Sequence, residues 1–351
     1  MKTLLVITQK VDINDDLLGS FVGWLKEFSQ RFDRVEVIAL SKGEYDLPSN
    51  VTVHSLGKDT GNSRFVRLLK FYKLLFRLVP RSVGIFAHMS PIFAVTSWPL
   101  AFLFRKKIIL WYLHRSVTGR LKLAEKMVTK IVTSSRDSLK FKSEKILELG
   151  HGIDLDYFNS STLREFSNPL HILSVGRISK IKGYETLLGA AKILKERGVN
   201  FVLKIVGQPI MPSDFSYFEE LKALRIKWDL EREVEFVGFV PYSKILPYYH
   251  EAQILINPLP SGGLDRTVLE GMAMKVIPLT SNDIFARYFG DYAKELVFEY
   301  QKAENLANKI VAIQNWPIEK KNEAVAFLRG AVAQFHDKKE LIKNIAQLYS
   351  D

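Results

Sequence analysis

The feature that most restricts the fold is an alternation that starts with the first residues, breaks once, and begins again. Short apolar runs alternate with longer stretches of helical period. TLLVIT, RVEVIAL, VTVHSL, VGIFAHM, KIILWYLH, IVTSS and KILELGHGI read as strands. Between the first two, LLGSFVGWLKEFSQRF places Phe21, Trp24, Leu25 and Phe28 on one helical face. RFVRLLKFYKLLFRLVPR (Arg64 to Arg81), a segment opened by Pro91, and LKLAEKMVTK carry the same period. Strands that alternate with helices specify a parallel sheet with right-handed crossovers.

A polar linker, Asp154 to Pro169, interrupts this pattern with NSSTLREFSNP. A second α/β series follows. LHILSVGR, NFVLKIVG, EVEFVGF, QILINPL, KVIPLTS and ELVFEY are expected as strands, and YETLLGAAKILKERG, FSYFEELKALRIKWDL and YSKILPYYHEA as helices. The chain closes in helices from Ile318 to Tyr349. With 351 residues it is long enough for two domains, expected at 1–160 and 168–333. The fold class is therefore α/β, two Rossmann-like domains in tandem, which implies a cleft between them. In such sheets ligands bind beyond the carboxyl ends of the strands. That rule selects His88, His114, Gly176 with Arg177, Gly207, Gly238, and the run Ser261, Gly262, Gly263.

Composition removes several chemistries. There is no cysteine, which excludes disulfides, zinc-thiolate sites and a thiol nucleophile and suits a reducing compartment. MKTLLVITQK has too short an apolar run for a secretory leader and reads as a first buried strand. Ser82 to Phe104 lacks charge over a length that spans a bilayer, but His88, Pro91 and Pro99 divide it into a strand, Val83 to Met89, and a helix. The net charge of +12 is concentrated: Gly61 to Leu147 holds 18 Lys and Arg against Glu125, Asp137 and Glu144. Such a field favours polyanions or an anionic membrane surface. The Arg64 to Arg81 helix mixes bases with Phe, Leu and Tyr, so it reads either as a helix lying on a membrane or as a packed helix with a solvated basic face.

No G-x-G-x-x-G follows a strand, and there is no G-x-x-x-x-G-K-[ST] and no G-x-S-x-G. In SVGRISKIKGYETLL a strand ends at Gly176, Arg177 and Lys182 follow, and a helix begins near Tyr184. Two cations beside a helix N-terminus suit a diphosphate, because free N–H groups and the helix dipole add to their charge; the plain alternative is a solvated loop. SGGLDRTVLEGMA repeats that logic. Gly262 and Gly263 allow close backbone approach, the amides from Leu264 to Thr267 head a helix, and Glu270 lies one turn on. A carboxylate there suits ribose hydroxyls, or else an i, i+4 pair with Arg266.

These segments together resemble the family 4 glycosyltransferases, retaining enzymes of the GT-B architecture, over nearly the whole chain and most strongly from Ile172 to Thr280. VGRISKIKG is similar to the family's donor-phosphate loop, IVGQP to its strand-end glycine (Gly207), VEFVGF to its base pocket around Val237, Gly238 and Phe239, and VLEGMAMKVIP to the segment holding the second glutamate of a paired-glutamate motif. LGHGID resembles the hinge before the second domain, so the D-x-D at Asp154 to Asp156 reads as linker and no metal is expected. The resemblance implies sugar transfer from a nucleotide donor without cofactor. Arg177 and Lys182 would neutralise the diphosphate, Glu270 would hold the ribose, His114 would stand at the reacting sugar, with His88 as a second candidate, and Gly19 would contact donor phosphate and acceptor. It also implies that residues 334–351 pack back on the first domain.

The departures fall at one end of that site. Gly262 stands where the family has its first glutamate, and Asp265 and Arg266 replace small apolar residues. A diphosphate would repel Asp265 unless it points to the sugar or pairs with Arg266; Asp265 is expected to take over sugar-hydroxyl recognition, with Arg266 then acting as a third phosphate cation. The leading expectation is a glycosyltransferase on a lipid-linked or cell-envelope acceptor. The alternatives are a weak or inactive nucleotide-sugar-binding protein and a nucleic-acid binder, the last without a recognition motif.

Overall fold

The structure is a computed structural model that describes residues 2–160 and 166–350. The centre of the polar linker lies outside the described residues. In chain order the elements are β1 (Thr3–Val11), α1 (Phe21–Ser29), β2 (Arg34–Lys42), β3 (Val51–Ser55), α2 (Arg64–Leu78), β4 (Gly84–His88), α3 (Pro91–Leu103), β5 (Lys107–Trp111), α4 (Gly119–Met127), β6 (Lys130–Thr133) and β7 (Ile146–Glu148). Next come β8 (Leu170–Val175), α5 (Tyr184–Glu196), β9 (Phe201–Val206), α6 (Pro212–Lys227), β10 (Val234–Gly238), α7 (Leu246–Glu251), β11 (Ile254–Asn257), α8 (Arg266–Ala273) and β12 (Ile277–Thr280). The chain ends with α9 (Ala286–Phe289), α10 (Ala293–Leu296), α11 (Ala303–Gln314), α12 (Ile318–Phe335) and α13 (Lys338–Gln347).

Two compact units result. One comprises Met1–Asp154, Pro241–Ser243 and His336–Asp351, the other Leu155–Val240 and Lys244–Phe335. The C-terminal α13 thus belongs to the first unit, where Asp154 of the D-x-D accepts a hydrogen bond from Lys338 Nζ.

The first unit is a parallel sheet of seven strands in the order β3-β2-β1-β4-β5-β6-β7. Side chains alternate between its faces. Leu5, Ile7, Ile85 and Leu110 pack with Phe71, Leu75, Phe93 and Leu121 from α2, α3 and α4. Leu4, Val6, Phe86 and Trp111 pack on the other face with Trp24, Leu25 and Phe28 of α1 and Leu341, Ile342 and Ile345 of α13. Both faces are covered, which is why these strands read as continuous apolar runs. The uncharged stretch 82–104 divides into β4 and α3, and no helix among the described residues is long and apolar enough to cross a membrane.

His88, selected by the strand-end rule, is a core residue. It is 5% exposed, stacks on Phe21 with ring centroids 3.7 Å apart, and its Nδ1 lies 3.1 Å from Thr8 Oγ1. Burial lowers its pKa to about 3.

The second unit is a parallel five-stranded sheet, β10-β9-β8-β11-β12. ELVFEY differs from its expected strand. Its first residues complete α10, Val297 N–H returns to Ala293 O, and Val297 makes a single parallel bridge to Thr280. Leu296 and Phe298 are buried nonetheless, so the apolar pattern reflects burial without a ladder.

Two expectations follow. A Cβ on Gly84 would lie 2.5 Å from the Tyr349 ring, and Tyr349 OH donates to Ile85 O at 2.8 Å. Gly84→Ala should therefore cost about 1–3 kcal/mol by urea denaturation. It should be non-additive with Tyr349→Ala, because the two positions share one contact. His88 is neutral when folded, while an unfolded imidazole titrates near 6.5. The unfolded state binds the extra proton, so stability falls as pH drops from about 6.5 towards about 3. His88→Gln should flatten that part of the stability–pH curve.

Candidate functional site

In the second sheet the strand order reverses between β8 and β11. Crossover connections leave in opposite directions at such a point and open a crevice beyond the strand ends. Two loops rim it, 176–183 after β8 and 258–265 after β11.

The first loop carries the expected cations. Gly176 N–H donates to Val206 O at 2.9 Å, and Tyr184 OH donates to Gly176 O at 2.9 Å. Gly207, after β9, must be glycine: its φ is +145°, and a Cβ would sit 1.9 Å from Gly176 O. Gly207 N–H donates in turn to Gly238 O at 2.8 Å, with Val237 half-buried beside it. Three strand ends thus meet as bare backbone. Lys182 Nζ is among the nearest atoms to the missing Cβ of Gly176, at 3.4 Å from its ideal position. Arg177 remains 39% exposed, with Nε 3.9 Å from Asp214 Oδ2.

The second loop ends at α8, whose N-cap is Asp265. Asp265 Oδ1 accepts from Thr267 N–H at 3.1 Å and from Thr267 Oγ1 at 3.0 Å. Asp265 Oδ2 accepts from Lys182 Nζ at 2.5 Å. The loop is pinned from behind: Asn282 Nδ2 donates to Gly263 O at 2.6 Å, Ser281 Oγ to Leu259 O at 3.0 Å, and Ser261 Oγ to Asp283. Gly262 and Leu264 are buried, and Gly263 is half-buried.

The alternative pairing of Asp265 with Arg266 is not the one this geometry makes. An N-cap carboxylate turns back over the first helical amides, whereas successive helical residues point about 100° apart. Arg266 instead donates from Nε to Glu270 Oε1 at 2.7 Å, the plain i, i+4 alternative. Glu270 is 4% exposed, and its other oxygen accepts from Tyr249 OH at 2.9 Å.

The two acids are opposite in electrostatics. Burial by itself would raise Asp265, but the charge and hydrogen bond of Lys182, with the Thr267 N–H and Asn257, outweigh it and bring the pKa to about 2. Burial raises Glu270 despite Arg266 and Tyr249, with Asp265 adding repulsion.

The structure thus brings Arg177, Lys182, Gly207, Val237, Gly238, Gly262, Gly263, Leu264, Asp265, Arg266, Thr267 and Glu270 to one end of the second sheet and the helix behind it. His114 and Gly19 belong to the first unit. His114 is exposed after β5, its ring 5.4 Å from Tyr112. Gly19 has a packing reason to be glycine, since a Cβ would lie 2.7 Å from Ile13 O and 2.9 Å from Asp15 O. Sequence reading passed over Tyr184, Tyr249, Asn257 and Asn282. The one available signal was polar side chains at the ends of apolar strands, in LINP and LTSND. Among the described residues no group of three or more His, Asp or Glu has the arrangement to hold a metal ion.

Comparison with known proteins adds the family. Residues 158–325 match the family of glycosyl transferases group 1. The amylovoran biosynthesis glycosyltransferase AmsK of Erwinia amylovora is 31% identical over 147 residues, 40% of this chain and 34% of that protein. The putative colanic acid biosynthesis glycosyltransferase WcaL of Escherichia coli is 31% identical over 39% of this chain and 34% of its own length. The match therefore spans about a third of these relatives. Among solved structures, Anabaena HepE in complex with UDP and glucose superposes with a TM-score of 0.74 at 16% identity over 100% of both chains. Residues 158–325, which hold the cations, the glycine backbone and both acids, match the glycosyl transferases group 1 family, and the two Rossmann-like domains have the GT-B fold.

Proposed function

We propose that the chain is a retaining glycosyltransferase that moves a sugar from a nucleotide-sugar donor to a lipid-linked or cell-envelope glycan acceptor, with neither metal nor cofactor, on the cytoplasmic side of the membrane. The observation that carries this reading is the β8–β11 switch point. Arg177 and Lys182 stand there beside bare strand-end backbone and the head of α8, an arrangement suited to a diphosphate. The names of AmsK and WcaL, which refer to amylovoran and colanic acid biosynthesis, and the UDP and glucose held by HepE support the same reading.

In this reading Arg177 and Lys182 offset the charge that develops on the departing diphosphate, the largest charge change of the reaction. Gly207, Val237 and Gly238 receive the nucleoside, and Gly263, Leu264 and Asp265 offer backbone amides, while the Thr267 N–H is held by the Asp265 cap. Glu270, held by Arg266 and Tyr249, takes the ribose hydroxyls. His114 and Gly19 act at the sugar and acceptor from the first domain.

Asp265 supplies what Gly262 lacks. Lys182 has three N–H donors, so it can keep Asp265 while also serving a phosphate. The Asp265 carboxylate retains lone pairs for a sugar hydroxyl. It also lowers the net charge of the phosphate site, so the site favours a donor that satisfies Lys182 and Asp265 together over a bare diphosphate.

Lys182→Ala should lower kcat by about a hundredfold or more. Asp265→Asn keeps a good helix cap but removes the charge. It should cut turnover at least about tenfold. It should also remove the part of stability that is lost as pH falls from 3.8 towards about 2. Undiminished turnover in Asp265→Asn would discard the role given to its charge. A thermal-shift screen of nucleotide sugars should find one that adds about 2.7 kcal/mol at a hundredfold over its Kd. If none shifts the melt, the donor reading fails; a shift without donor hydrolysis or transfer would leave a binding protein.

A further inference from the structure

The first unit carries a helix with one apolar stripe more than its core needs. On α2, Phe71, Leu75 and Leu78 are the buried residues. A second stripe, Phe65, Leu69 and Phe76, lies along one face, with Tyr72 between them half-buried against the core. Phe65 is 68% exposed, Leu69 56% and Phe76 61%. Lys70, Lys73 and Arg77 form a third, exposed stripe beside it. The end of α3 repeats this chemistry, with Phe102 70% and Leu103 66% exposed just before Arg105 and Lys106. Where α2 meets α3 an apolar cavity of about 270 Å³ is lined by Leu56, Leu68, Phe71, Ile92 and Phe93, together with Arg67.

Exposed apolar side chains scattered singly are ordinary, but a continuous stripe marks an interface. Charge selects the occupant. Between Asp59 and Glu125 there is no acidic residue, and the same span holds 12 Lys and Arg. A second copy of the chain would bring like charge against like. A nucleic acid would use the bases but give the Phe and Leu stripe nothing apolar to enter. An anionic bilayer uses both, since its headgroups take the cations and its acyl boundary takes the apolar face.

We propose that α2, with the end of α3, docks the chain in plane on an anionic lipid bilayer. Phe65, Leu69 and Phe76 enter the acyl boundary, and Lys70, Lys73 and Arg77 pair with headgroups. The proposal rests on this surface and stands whether or not the donor reading does.

Co-sedimentation of the full chain with vesicles tests it. The chain should bind vesicles of equal phosphatidylcholine and phosphatidylglycerol, should bind phosphatidylcholine alone far more weakly, and should be released as salt is raised. Phe65→Ser with Phe76→Ser, and separately Lys70→Glu with Lys73→Glu, should each weaken binding about tenfold or more. All four side chains are exposed, so neither variant should change the melting temperature. Failure to bind the anionic vesicles, or binding indifferent to the Phe65 and Phe76 changes, would overturn the proposal. So would a concentration-dependent dimer that those two changes dissolve, or duplex-DNA binding of equal strength that survives them.

Discussion

A parallel sheet must be covered on both faces, because every crossover lays a helix on one face or the other. Only the strand ends are left for polar chemistry. In the second unit this constraint opens a crevice at the ends of ordinary apolar strands, since β8 and β11 are neighbours whose connections diverge. Everything polar at that end then has a reason. Gly207 is bare because Gly176 O occupies the space a Cβ would take. Tyr184 and Asn282 are spent holding the two loops, Tyr184 on Gly176 O and Asn282 on Gly263 O. What remains is the cation pair of the first loop and the helix head of the second.

The Lys182–Asp265 ion pair joins those two loops. A largely buried pair is worth little in net stability, because desolvation offsets much of the attraction, but removing one partner leaves a costly charge behind. Its value here is positional. Asp265 is fixed as the N-cap of α8, so its Oδ2 sets where the long Lys182 side chain ends. Arg266 and Glu270 form a second pair one step along the helix, closed by Tyr249. Two acid–base pairs, Lys182 with Asp265 and Arg266 with Glu270, thus set the charge balance of this end of the sheet.

The basic first unit follows a different logic. Its sheet is covered like the other, yet α2 presents apolar side chains outward. The sequence left open a helix lying on a membrane or a packed helix with a solvated basic face; in the structure three residues of α2 are buried while Phe65, Leu69 and Phe76 are not. Periodicity counts apolar residues and is blind to which of two stripes the fold will cover.

The sequence by itself determined the two parallel α/β units, because strand and helix periods are local properties. It also picked out the two loops that rim the β8–β11 crevice, since Arg177, Lys182 and the glycines sit at strand ends by position alone. It could not assign partners. Asp265 lies 83 residues from Lys182, a contact that exists only once β8 and β11 are neighbours. His88 looked like a strand-end ligand and became a core residue because Phe21, from another element, closed over it. ELVFEY had a strand's apolar pattern, but only tertiary packing decided that burial there needed one bridge and no ladder. Local period chose the elements, and long-range packing decided which polar group met which.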